Sequence, residues 1–170
     1  MTGRVEAAAL LVAAIVTLAG CSNVSTEVPP PAPTATPADM ALAAYERYWA
    51  VTSSAFAAPS SRDWRPDLEA VAVGPAFDAA MQDILSSAAL PAHVEGAVAR
   101  APEVQESTPE RVEIVDCIDL QDSLLVNDLT GEVYDDIENR VPRYTFRAEV
   151  ANIDNIWMVE QIAPALEDPC

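Results

Sequence analysis

The spacing of hydrophobic positions changes partway along the chain. Before Pro91, apolar side chains recur at steps of three and four residues, which predicts amphipathic helices. A first helix is expected over residues 38–56, with Asp39 favouring its start. Its predicted buried stripe is Leu42, Tyr45, Trp49, Thr52 and Phe56.

Two shorter helices are predicted to follow. Arg65-Pro66-Asp67 opens one, with Leu68 and Val71 facing inward. Gly74-Pro75 breaks that helix and starts the next, because proline suits a first helical turn. The inward stripe of this third helix is Phe77, Met81, Ile84 and Ala88.

After Pro91 the hydrophobic period shortens to two. Tyr144, Phe146, Ala148 and Val150 alternate with polar residues, which indicates a strand with one buried face. Strands are expected over 93–98, 111–120, 123–127, 143–152 and 155–162, with a turn at 129–132 and a hairpin turn at 152–155. Helices followed by a mostly antiparallel sheet predict an α+β domain over residues 38–170.

The N-terminus has the pattern of an export signal. Residues 7–20 form an uncharged run of 14 residues after Arg4, which is too short to span a bilayer. The run ends in Leu18-Ala19-Gly20-Cys21, which looks like the lipobox of bacterial lipoproteins. That resemblance implies that residues 1–20 are removed and that Cys21 receives a lipid, which anchors the chain to the membrane. The alternative is a simple secretory signal with a chance cysteine.

Residues 21–37 are predicted to form a spacer between this cysteine and the domain. Proline occupies positions 29, 30, 31, 33 and 37. Proline-rich composition favours extended polyproline over packed structure, so we expect a semi-stiff tether. The alternative is a proline-rich ligand for a partner's aromatic groove.

The charge and the scarcity of certain residues exclude several functions. Acidic residues number 27 against 9 basic ones, for a net charge of −18, and all nine bases are arginine. Schiff-base and P-loop lysines are therefore excluded, and nucleic-acid binding is disfavoured. One histidine and three cysteines exclude most multi-histidine metal sites and zinc fingers, so no metal or cofactor is predicted.

Cys117 and Cys170 remain once Cys21 is lipidated. Outside the cytoplasm such a pair usually forms a disulfide, and we predict one here. The alternative is a reactive thiol at Cys117. Asp116 and Asp119 disfavour it, because nearby anions raise a thiol pKa.

Other candidate chemistry is sparse, and no catalytic residue is assigned. His93 is interpreted as a surface or strand residue rather than a catalytic one. Asp116 and Asp119 lie three apart on a strand and should point to opposite faces, which disfavours a shared dyad. A run of carboxylates is interpreted as a solvated loop rather than a cation site, because it lacks the calcium-loop pattern: Asp128, Glu132, Asp135, Asp136 and Glu138.

The order of elements resembles the nuclear transport factor 2-like (cystatin-like) cone. More closely, the chain resembles uncharacterised lipoproteins of high-GC Gram-positive bacteria with that fold. The residues carrying this are the lipobox, 44–49, 73–77, 115–119, 128–132, 156–159 and Cys170. The resemblance implies helices on a curved sheet, with a cavity between them. Aromatic and sulfur side chains would line it, although such residues are more often core: Tyr45, Tyr48, Trp49, Phe77, Met81, Phe146 and Trp157.

Two hypotheses about function remain open. The favoured one is an extracytoplasmic, lipid-anchored module without catalytic activity that binds an envelope protein or a small apolar ligand. The alternative is a small isomerase- or cyclase-like enzyme that uses the cone cavity. An open cavity containing an unpaired buried carboxylate or His93 would favour the enzyme, and a filled cone would favour the module.

Overall fold

A computed structural model of the chain describes residues 34–170. The predicted signal peptide, Cys21 and the tether up to residue 33 lie outside the described residues. The first helix, α1, spans Pro37–Ala57 and begins one residue before the predicted start. The Asp39 backbone N–H donates to the Thr36 hydroxyl at 3.2 Å, and the Thr36 N–H donates to the Asp39 carboxylate at 2.9 Å. This capping box, with proline in the first turn, fixes the helix start.

Two further helices complete the helical half, as the sequence predicts. They are α2, Arg65–Glu69, and α3, Gly74–Ala88. The segment between them is bonded to the last strand: the Val73 N–H donates to the Val159 carbonyl at 2.9 Å, and the Val159 N–H donates to the Val71 carbonyl at 3.0 Å. These bonds cover part of an edge strand that would otherwise present unpaired backbone groups.

Between residues 34 and 170, six strands form two antiparallel sheets beside the helices, so the α+β class is confirmed. The strands are β1 (Ala92–Gly96), β2 (Glu103–Ser107), β3 (Arg111–Asp119), β4 (Ser123–Asn127), β5 (Arg143–Ile153) and β6 (Ile156–Ala165). The larger sheet has the order β2-β3-β5-β6, and β1 pairs with β4 in a separate two-stranded sheet. The β5–β6 turn uses Asp154 and Asn155, whose φ angles are 51° and 66°. These are the left-handed conformations that a two-residue hairpin needs.

The sequence pattern did not predict β2. Its residues, Glu103-Val104-Gln105-Glu106-Ser107, contain one apolar side chain, and most of them are exposed. The strand exists because it pairs with β3 at the sheet edge, with a register shift between Val104 and Glu106. An edge strand of this kind carries little hydrophobic signal, because neither of its faces is deeply buried.

The core lies between the helices and one face of the larger sheet. On β3, Val112, Ile114, Asp116 and Ile118 are buried and alternate with more exposed residues. On β5, Phe146, Ala148 and Val150 face the same core. Tyr45, Ile84 and Val159 are fully buried against them. Complete burial of a large aliphatic side chain contributes about 1.5–3 kcal/mol.

A disulfide joins Cys117 of β3 to Cys170, with the two Cα atoms 5.7 Å apart. The chain end is also held by β5, because the Thr145 N–H donates to the Asp168 carbonyl at 2.8 Å and Arg147 pairs with the Asp168 carboxylate at 3.1 Å. The predicted pair is therefore joined in the structure, and it fastens the tail beside the sheet. Within residues 34–170, no helix is both long and apolar enough to cross a membrane.

Candidate functional site: a cavity walled by helices and both sheets

A cavity of about 670 Å³ opens among α1, α3, both sheets and the segment that follows β1. This volume suits a small organic molecule. Its lining is mostly apolar and includes residues that lie far apart in the sequence. Representative lining residues are Thr52, Ala80, Val94, Val98, Leu120, Leu125, Ile162 and Pro164.

Aromatic side chains from α1 and β5 form much of the wall. Tyr48, Trp49 and Phe56 come from α1, and Tyr144 and Phe146 come from β5. The Trp49 and Phe146 rings meet edge to face, with centroids 5.4 Å apart. Trp49 and Phe56 share a face of α1 because helical residues seven positions apart lie on one side, and Tyr48 is adjacent to Trp49. Such a wall offers a ligand large, stiff apolar contacts.

The cavity lining includes a basic side chain, Arg100. The backbone on either side of it is pinned to β3: Ala99 exchanges two hydrogen bonds with Asp119, and the Ala101 N–H donates to the Asp116 carboxylate at 2.6 Å. The guanidinium pairs with Glu46 and lies 5.2 Å from the Trp49 ring centroid. Arg100 is therefore held in place by both its backbone and its side-chain contacts.

Asp116 lies behind Arg100 and is not a lining residue. Its side chain is fully buried; Oδ1 accepts from the Ala101 N–H, and Oδ2 accepts from the Tyr45 hydroxyl at 3.0 Å. Arg100 Nη1 lies 3.9 Å from Oδ2, which is an electrostatic contact rather than a hydrogen bond. Burial raises the pKa of Asp116, while the Ala101 and Tyr45 hydrogen bonds and Arg100 oppose the rise. The arrangement makes Asp116 a structural acceptor with both oxygens engaged.

The hydroxyls of Tyr48 and Tyr144 differ from that of Tyr45. Tyr48 is 4% exposed, and burial together with the nearby Asp83 carboxylate raises its pKa. Burial alone raises the pKa of Tyr144. Neither phenol has a hydrogen-bond partner among residues 34–170, and both line the cavity. The cavity wall thus contains two neutral hydroxyl groups that no residue of the described chain, 34–170, pairs with.

The seven predicted lining residues are divided among three places. Tyr48, Trp49 and Phe146 line the cavity. Tyr45 and Trp157 belong to the buried core instead. The Tyr45 hydroxyl donates to Asp116, and Trp157 packs in the core from β6. Phe77 and Met81 border a separate groove of about 550 Å³ along α3, together with Arg65, Gln82, Leu85 and Ala89.

His93 lies outside the cavity, beside a smaller pocket of about 240 Å³. Its Nδ1 is 2.6 Å from Asp128 and its Nε2 is 3.2 Å from Glu95. Ser60 and Ser61 also border this pocket, but their hydroxyls donate to the backbone carbonyls of Ala88 and Ala58. Both ring nitrogens of His93 are therefore occupied by carboxylates, and neither serine is activated by the ring.

Several of the carboxylates that the sequence analysis considered as candidate sites accept hydrogen bonds from nearby groups of the protein. Asp135 accepts from the Leu125 N–H at 2.8 Å and from Arg140 at 3.1 Å, and Asp136 accepts from the Asn139 side chain at 2.8 Å. Asp119 is also engaged, with the Gln121 N–H at 2.9 Å. Within residues 34–170, no group of three or more histidine, cysteine or acidic side chains is placed to hold a metal ion.

The sequence contained a signal for Asp116 that our prediction did not use. Asp116 falls two residues from Ile114 and two from Ile118, so strand alternation places it on the core face. Arg100 and Tyr144 could not be found in this way. Arg100 lies outside any strand, and the position of Tyr144 beside the cavity depends on how the two sheets pack.

Comparison with known proteins adds evidence on the fold. No protein-family model matches the chain, and no curated protein matches it significantly. The crystal structure of the intermembrane space region of the chloroplast protein ARC6 is similar, with a TM-score of 0.55 at 14% identity over 78% of this chain and 98% of that one. A solution structure of a de novo β-sheet design reaches a TM-score of 0.34 at 11% identity, over 75% of this chain and 88% of that one, which is too low to support an argument. At this identity, the likeness to the ARC6 region shows a shared fold alone.

Proposed function

We propose that this protein is a lipid-anchored, extracytoplasmic binding protein of the cell envelope whose cavity holds a small apolar ligand. The cavity of about 670 Å³, with its aromatic wall, is the observation that carries the binding function. We further propose that the fold is a nuclear transport factor 2-like cone. The proposal for location rests on the sequence Leu18-Ala19-Gly20-Cys21 and on the disulfide, which is typical of oxidising compartments.

The isomerase- or cyclase-like alternative has less support. Acid–base catalysis needs a group that reaches the substrate and is free to exchange a proton. Both oxygens of the buried Asp116 carboxylate are engaged, and the carboxylate lies behind Arg100 rather than on the cavity wall. His93 borders a different pocket. The cavity is open, as an enzyme requires, but its contacts support holding a ligand better than transforming one.

Binding is tested with an uncharged fluorescent probe, N-phenyl-1-naphthylamine, and the full chain carrying Cys21→Ser to keep it free of lipid. Ala97 is exposed and lines the cavity, so Ala97→Trp should fill the space without displacing core residues. We expect saturable binding to the parent chain and a loss of about ten-fold in Ala97→Trp, the size of a lost apolar contact.

Ala89→Trp is the matched control, because Ala89 is exposed and borders the groove along α3. Its probe affinity should equal that of the parent chain. Equal loss in both variants, or no saturable binding to the parent chain, would reject the cavity as the binding site.

The anchor is tested separately by labelling cells with palmitate. The wild-type chain should carry the label in the membrane fraction, and Cys21→Ser should lose it. A label that persists on Cys21→Ser would refute lipidation at this position, whatever the result of the binding experiment.

A further inference from the structure

We propose that the ligand of this cavity is an uncharged, mainly apolar molecule bearing a hydroxyl or carbonyl oxygen, which the Tyr48 and Tyr144 hydroxyls recognise. This inference rests on the proposed binding function and defines the chemical class of the ligand. Its basis is one juxtaposition: two phenol groups without a hydrogen-bond partner among residues 34–170 lie on an apolar wall, and the arginine of that wall pairs with Glu46.

The charges around the cavity disfavour an anionic ligand. Arg100 lines the cavity and pairs with Glu46, while its Nη1 lies 3.9 Å from the Asp116 carboxylate. Asp83 adds another carboxylate to the lining. The Arg100 guanidinium therefore already faces two carboxylates, those of Glu46 and Asp116, before any ligand arrives. An anionic head group would meet excess negative charge around Arg100, whose Nη2 already pairs with Glu46.

A cationic ligand is disfavoured for a different reason. Placing an ammonium group among apolar side chains costs much of its hydration free energy unless a free carboxylate compensates it. Glu46 is engaged by Arg100, and Asp83 lies on an exposed position of α3. A cation inside the cavity would therefore lose its hydration without gaining a dedicated partner.

The tyrosine hydroxyls match a neutral oxygen. Tyr48 is 4% exposed, and its hydroxyl has no partner among residues 34–170; the hydroxyl of Tyr144 is likewise unpaired there. Both residues line the cavity, so a ligand oxygen that reaches either hydroxyl would gain a hydrogen bond without breaking one within residues 34–170. A phenol can donate or accept, so a hydroxyl or a carbonyl on the ligand would satisfy it.

The test measures displacement of N-phenyl-1-naphthylamine from the full Cys21→Ser chain by decanol, decanoate and decylamine. The pH is chosen so that the acid is ionised and the amine is protonated. We expect decanol to bind about ten-fold more tightly than either charged compound, because only a neutral head group enters without a desolvated charge.

Tyr48→Phe and Tyr144→Phe test the role of the hydroxyls. Each should weaken decanol binding by about five-fold, the size of one hydrogen bond. Ala89→Trp, which lies outside the cavity, is the control and should leave the affinities for decanol and for the probe unchanged. The midpoint of urea unfolding should stay the same or rise, because neither hydroxyl bonds to another group within residues 34–170. A fall in unfolding midpoint with unchanged decanol affinity would assign the hydroxyls to folding and overturn the proposal.

The remaining outcomes separate this inference from the proposed function. If the probe binds but decanoate or decylamine displaces it as well as decanol does, the ligand class is wrong and the binding function stands. Failure of decanol to displace a bound probe also overturns the ligand class. If the probe does not bind at all, the proposed function itself fails.

Discussion

Two neighbouring sets of polar side chains differ in whether they have hydrogen-bond partners within the described structure. The Asp116 carboxylate has a backbone N–H, a tyrosine hydroxyl and a guanidinium around it. The Tyr48 and Tyr144 hydroxyls, on the neighbouring cavity wall, have no partner among residues 34–170. The difference indicates that the first set stabilises the native structure and that the second is available to a ligand.

The largest expected effect comes from removing the centre of the paired set. Asp116→Ala leaves the Tyr45 hydroxyl and the Ala101 N–H without their acceptor, and it removes the buried carboxylate beside Arg100. Removing one partner of a buried ion pair costs about 3 kcal/mol in the free energy of unfolding, measured by urea denaturation. Asp119→Ala is the control on the same strand, since Asp119 is only partly buried, and it should cost well under half as much. Equal losses of unfolding free energy in the two variants would mean that the contacts of Asp116 do not stabilise the protein more than those of Asp119.

The second prediction compares the free energies of unfolding of two tyrosine variants, Tyr45→Phe and Tyr48→Phe. Tyr45→Phe removes a hydrogen bond to a carboxylate and should lower the free energy of unfolding by about 1.5 kcal/mol. Tyr48→Phe removes a hydroxyl with no partner within the described chain and should change that free energy by about zero or raise it slightly. Both tyrosines belong to α1 and both are at least nine-tenths buried, so the substitutions are closely matched. Similar destabilisation of the two variants would remove the distinction between the sets.

The pH dependence of stability gives a smaller effect with a defined sign. Burial raises the pKa of Asp116 above the ordinary 3.8 of an aspartate. As pH rises past 3.8, the unfolded chain ionises first, so this group's contribution to stability falls until pH passes its folded pKa. Relative to Asp116→Asn, the wild-type protein should therefore lose stability across that window and then level off. A gain over the same window would mean that Arg100 and Tyr45 outweigh desolvation.

The smallest effect is expected at His93, which belongs to neither set. The hydrogen bond to Asp128, and then that to Glu95, raises the pKa of His93 above the ordinary 6.5. Its contribution to stability is therefore complete below pH 6.5 and is lost as pH rises through the folded pKa. The chain has one histidine, so NMR titration of the imidazole needs no assignment. Asp128→Asn should return the midpoint toward 6.5, whereas an unchanged midpoint would show that Asp128 is not the cause.

Local patterns predicted most of the framework. The stripes of α1 and α3 and the alternation of β5 led to elements within a few residues of those observed, and Asn155 falls in the predicted hairpin turn. Strand β2 was not predicted, because an exposed edge strand needs no alternation of apolar and polar residues. The pairing of β1 with β4 in a separate sheet was also not predicted, because the local sequence pattern does not show which distant strands pair.

The candidate site was predicted only in part, and the reason is geometric. Tyr48, Trp49 and Phe146 were chosen as residues on a helical stripe or an alternating strand, and they do line the cavity. The same criteria selected Tyr45 and Trp157, which are buried in the core. A stripe identifies which side chains turn inward. Whether they meet another side chain or an opening depends on the distance between α1 and the sheets, and periodicity does not encode that distance.

The bond between Cys117 and Cys170 closes a covalent ring with a sequence separation of 53 residues, and the long loop from Asp128 to Val141 lies inside that ring. Leu129 in this loop is 82% exposed and is a natural point of attack for a protease. A cut there would open the ring without releasing a fragment, so the two pieces would migrate as one species until a reductant was added. In an environment rich in secreted proteases, the disulfide would let a damaged molecule keep its strands together.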